Sequence, residues 1–73
     1  MSREQMLIRA GFYAGQASRL LGDDSFALRF LGKAETITAE AYLRMVAEIE
    51  RRLVAAGELK AGENLWKKGM GHE

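Results

Sequence analysis

Leu7-Ile8-Arg9-Ala10-Gly11-Phe12-Tyr13-Ala14-Gly15-Gln16-Ala17-Ser18-Arg19-Leu20-Leu21, residues 7–21, is the stretch whose reading decides the fold. Leu7, Ala10, Ala14, Ala17 and Leu21 recur at spacings of three and four, which places them on one face of an α-helix. Tyr42, Val46, Ile49, Leu53 and Ala56 repeat that spacing later in the chain. The first seam is mostly small and the second mostly large, so the ridge of one helix fits the groove of the other. Two packed helices are expected, and neither seam carries chemistry.

With no Pro and eight Gly, the glycines punctuate the chain. Ser2 and Gln5 have the spacing of a capping box, which starts a first helix near Arg3. That helix runs to about Leu21, where Gly22 suits a left-handed C-terminal residue. Asp23, Asp24 or Ser25 caps a short helix over Phe26 to Leu31, with Gly32 as its stop. Lys33 to Ile37 reads as a connection. Thr38 is the expected N-cap of the last long helix, with Glu40 in the first turn and Ile37 and Tyr42 placed as a hydrophobic staple. Gly57 ends that helix, and Glu58 to Lys68 adds a short helical segment around Leu65 and Trp66. Residues 69–73 read as a frayed tail beyond a single helical domain of residues 1–68.

The expected fold is all-α. It is a small helical bundle of two long antiparallel helices, a short helix between them and a short C-terminal helical segment.

Composition narrows the function classes. A chain of 73 residues buries a smaller fraction of its surface than a larger domain, and the usual remedies are disulfides, a metal or a partner. There is no Cys, and the one His is His72 near the end, so no metal site, no cofactor and no catalytic site are expected. Ser2 and Ser25 read as caps, and no serine has a well-placed His to activate it. Asp23-Asp24 reads as a cap beside a solvated neighbour. No apolar run spans a bilayer, and Met1-Ser2-Arg3-Glu4-Gln5 is unlike a secretory signal, so a cytoplasmic protein is expected. Eleven basic against ten acidic residues give a net charge of +1, with no bulk pull towards nucleic acid or anionic membrane.

The helices carry more apolar surface than one seam uses. At about 100° per residue, Ile8 and Phe12 lie off the main seam of the first helix, and Leu43, Ala47 and Val54 form a second stripe on the last. Either the middle helix covers these side chains or they meet another chain. The second reading makes Ile8, Phe12, Leu43, Val54 and Trp66 the interface residues of a non-catalytic protein–protein interaction module, its partner a copy of itself or a different protein. Trp66 also fits a role in capping the small core. Gly11 and Gly15, flanked by Ala10, Ala14 and Ser18, suggest a close helix crossing within the bundle, offsetting about 1 kcal/mol per mid-helix glycine.

The competing class is a small nucleic-acid-associated regulator using Arg51, Arg52, Lys67 and Lys68. Glu50, Glu58 and Glu63 dilute that patch, and a helix–turn–helix outline over Phe26 to Met45 places Lys33 and Thr38 where apolar residues belong. Glu40 with Arg44 and Glu48 with Arg52 stand at the stabilising i, i+4 spacing.

Tyr42, Ile49-Glu50, Leu53-Val54, Gly57, Leu59 and Glu63 resemble a helix and turn near the N-terminal part of nitrile hydratase beta-type subunits. The resemblance implies a helical subunit-contact module. That family's catalytic metal is held by a cysteine motif on the partner subunit, to which nothing here corresponds.

Overall fold

Local signals start and stop the helices. In the computed structural model, which describes residues 2–70, four helices follow one another: α1 (Arg3–Leu21), α2 (Asp24–Lys33), α3 (Ala39–Ala55) and α4 (Leu65–Met70). The Ser2 hydroxyl accepts the Gln5 N–H at 3.1 Å and the Gln5 side chain accepts the Ser2 N–H at 3.0 Å, completing the capping box. Gly22 closes α1 in the left-handed region at φ 69°, and Gly57 turns the chain after α3 at φ 79°. Thr38 caps α3 through the Ala41 N–H at 3.0 Å.

The result is a small all-α bundle, with a radius of gyration of 11.5 Å against the roughly 11 Å that a packed chain of this length should have. Ala10, Ala14 and Ala17 of the first seam are buried, as are Tyr42, Val46, Ile49 and Leu53 of the second. Met6 and Tyr13 join them from α1, Ala27 and Phe30 from α2, and Leu59 and Leu65 from beyond α3. All six aromatic residues form a continuous chain of ring contacts through the four helices. Phe26 meets Phe30, Phe30 meets Tyr42 at 6.0 Å, Tyr42 meets Tyr13, Tyr13 meets Phe12, and Phe12 meets Trp66 at 5.2 Å. Edge-to-face rings add to the energy of simple burial.

Three sequence expectations are corrected. Gly32 does not end α2, which continues to Lys33. Burial of Phe30 and Ala34 on its inner face outweighs the roughly 1 kcal/mol cost of an internal glycine. Gly69 and Met70 belong to α4 rather than to a tail, while residues 71–73, His72 among them, lie outside the described residues. α2 is a return leg that packs along α1, and α1 packs directly on α3 as well. Arg3 at the start of α1 donates to the carbonyls of Ala34 and Ile37, at 3.2 and 2.5 Å, just before α3 begins. At the other end Arg52, late in α3, pairs with Asp23, just past α1, at 2.9 Å. The two long helices therefore pack directly on each other, Tyr13 against Tyr42, but run in the same sense where an antiparallel pair was expected.

Asp23 does two jobs. Its carboxylate caps α2 by accepting the Phe26 N–H at 2.9 Å and also holds Arg52. The Phe26 N–H, and then the Arg52 guanidinium, keep this carboxyl below its ordinary range. Thr38→Ala removes only a cap and is expected to cost about 1 kcal/mol. Asp23→Ala is expected to lower Tm further, because it removes a cap and an inter-helix tie. A carboxyl with a lowered folded-state pKa stabilises above its unfolded value of 3.8 and loses that effect as pH falls through the lower folded value. The gap in Tm between the native chain and Asp23→Ala should therefore narrow in acid; a gap independent of pH would contradict the assignment.

Candidate functional site

Three surfaces have enough structure to consider. The first is a groove of about 440 Å³ between α1 and α2. Gly11, Ala14, Gly15 and Ala27 make its floor, Leu28 and Leu31 its apolar wall, and Ser18 with Asp24 closes one end. The Ser18 hydroxyl donates to the Asp24 carboxylate, which ties that end shut. The floor is low because two residues lack side chains. A methyl group built on Gly11 or Gly15 meets no heavy atom within 4 Å. The expected close crossing at these glycines within the chain is therefore corrected: they face open space, and burial on the same helix falls to the alanines.

The second surface lies between α1, α3 and α4 and is polar. Arg9, Tyr13, Tyr42, Glu50 and Asn64 line a cleft of about 240 Å³. Glu50 accepts the Leu65 N–H at 3.1 Å and so anchors α4, while the Arg9 guanidinium lies 4.6 Å from the centre of the Trp66 ring. Burial, with Tyr42 and Glu50 nearby, pushes the Tyr13 hydroxyl up to about 12 from 10.0; burial raises Tyr42 as well. Both phenols are neutral at ordinary pH. A raised folded-state value favours the fold below pH 10 and withdraws that support as pH climbs from 10 towards 12. The native chain should lose Tm across that window more steeply than Tyr13→Phe. Equal slopes would contradict the role given to this hydroxyl.

The third surface is a groove of about 420 Å³ beside Val54 and Leu59, rimmed by Glu50, Arg51 and Glu63. Among the described residues no group of three or more acidic or imidazole side chains stands together as a metal-ligand set. No helix of the described residues is long and apolar enough to cross a membrane.

The five interface residues read from the sequence fall into two sets. Ile8, Leu43 and Val54 are exposed, at 62, 56 and 37%. Phe12 and Trp66 are half-buried against each other, and α4 rather than the middle helix supplies the cover for Phe12. Ile8 lies one turn from the glycine floor of the first groove, whereas Leu43 lies on α3. Sequence reasoning missed Leu28 and Leu31, which are 69 and 45% exposed. Their i, i+3 spacing was the available signal, but Phe30 and Ala27 hold the inward face of α2.

The four basic residues of the competing reading are mostly engaged. Arg52 pairs with Asp23 and lies 5.5 Å from the Phe26 ring centre; Arg51 pairs with Glu48. The expected Glu48–Arg52 pair is thus replaced by Glu48–Arg51 within α3, freeing Arg52 to reach α2. Glu40 and Arg44 stand 3.9 Å apart as expected. Lys68 is 3.7 Å from Glu63 and donates to the Glu58 carbonyl, while the Lys67 side chain is exposed. Comparison with protein-family models, with curated proteins and with solved structures found no match to this chain.

Proposed function

We propose that the chain is a non-catalytic protein–protein interaction module that works by burying an apolar helix face. One observation carries this reading: Leu28 and Leu31 stand exposed beside a glycine and alanine floor, with Ile8 one turn away. Single exposed apolar residues are ordinary, but apolar walls around a shallow apolar floor form a continuous surface that water solvates poorly. The partner is a protein, either a second copy or a different chain. Pairing of Arg51, Arg52 and Lys68 with carboxylates weakens the nucleic-acid alternative, since those cations already have counter-charges.

The test is site-specific photo-crosslinking in the native host, with the photoreactive residue at Leu28 in one variant and Leu43 in another. Protein adducts at Leu28 are the expected result. Adducts to nucleic acid alone, or none at either position, would overturn the reading. Adducts only at Leu43 would keep a protein-binding role and move it to α3.

A further inference from the structure

We infer that the occupant of the α1–α2 groove is a second copy of this chain, docked antiparallel about a twofold axis at the middle of α1. This rests on the interaction reading above and names its partner. The argument is that the exposed face of α1 is its own complement. At about 100° per residue, Glu4, Ile8, Gly11, Gly15 and Arg19 fall within about 80° of arc. Glu4 with Arg19, and Ile8 with Gly15, are each placed symmetrically about the Gly11–Phe12 peptide. An antiparallel copy centred there brings each projecting Ile8 to the partner's missing side chain at Gly15. It also sets each Glu4 opposite an Arg19.

The structure leaves all four groups free to do this. Ile8 projects into solvent, and the space above Gly15 is open to at least 4 Å. Glu4 and Arg19 are exposed and have no ion-pair partner among the described residues; Arg19 bonds only to Gln16 on its own helix, at 2.9 Å. A twofold axis across α1 places both copies of α2 on the same side, where Leu28 and Leu31 of the two chains extend the contact. A twofold interface must be self-complementary in this way, with each residue meeting the mate of its own partner. A stable pair buries about 800 Å² on each side, roughly a sixth of the 4682 Å² this chain exposes.

The experiment is solution mass across concentration for the whole chain and four variants. The native chain is expected to double its mass. Gly15→Leu puts a side chain into the notch, where its first carbon meets no atom within 4 Å and the rest points along an exposed face, so it should stay folded by circular dichroism and weaken association by about tenfold or more. Glu4→Arg and Arg19→Glu should each weaken association several-fold, and the double variant Glu4→Arg/Arg19→Glu should restore it by exchanging the charges. Restoration would single out the antiparallel register. A native dimer indifferent to these changes would overturn the inference but leave the interaction reading in place on another face. A native monomer at every concentration would overturn it too, and the crosslinked adducts would then decide the wider reading separately.

Discussion

Phe30→Ala is expected to destabilise the chain by about 3–5 kcal/mol, the cost of emptying a fully buried aromatic site. Phe30 is 0% exposed, and its ring meets both Phe26 and Tyr42. Its contact with Tyr42 joins α2 to α3. A domain of this length has only about 4–11 kcal/mol to lose, so the variant should lose from about a quarter to all of its stability. Urea denaturation followed by circular dichroism measures this. A loss under about 1 kcal/mol would mean that Phe30 is not the link between these helices.

Ala17→Leu is expected to cost about 3 kcal/mol by the opposite route, forcing extra carbons into a closed space. Ala17 is 0% exposed and lies on the inner face of α1. On the same helix, Gly11→Ala should stabilise the fold by up to about 1 kcal/mol, since the new methyl meets nothing within 4 Å and the backbone loses freedom only in the unfolded chain. The pair is a sharp test because both changes enlarge a small residue on one helix. Thermal unfolding should move in opposite directions. If both variants are destabilised, the glycine face is not open as described.

The elements whose limits are set locally were legible in the sequence. Ser2 with Gln5, Gly22 and Thr38 act on backbone groups within a few residues, so their roles follow from spacing alone. The α3 seam was legible because large residues at helical spacing have one inward face. What was not legible depends on where α2 lies. The sequence cannot place a return leg against the alanine face of α1. For that reason Met6 and Tyr13 were missed as core, Gly32 was read as a stop, and Gly11 and Gly15 were read as a crossing. Arg3 was unremarkable as an N-terminal charge and became a tie only once the chain had come back to Ala34 and Ile37. Ile8, read as spare apolar surface, is exposed, while the i, i+3 pair Leu28 and Leu31 shows which way it faces only once Ala27 and Phe30 are packed inward.

The most direct test of the central claim is the salt dependence of association, read as solution mass over a range of concentrations at low and high ionic strength. Burial of an apolar face predicts assembly that persists or strengthens in high salt, since counterion release contributes little to it. A chain that stays monomeric at both ionic strengths, and binds nucleic acid in a way that salt abolishes, would contradict the account.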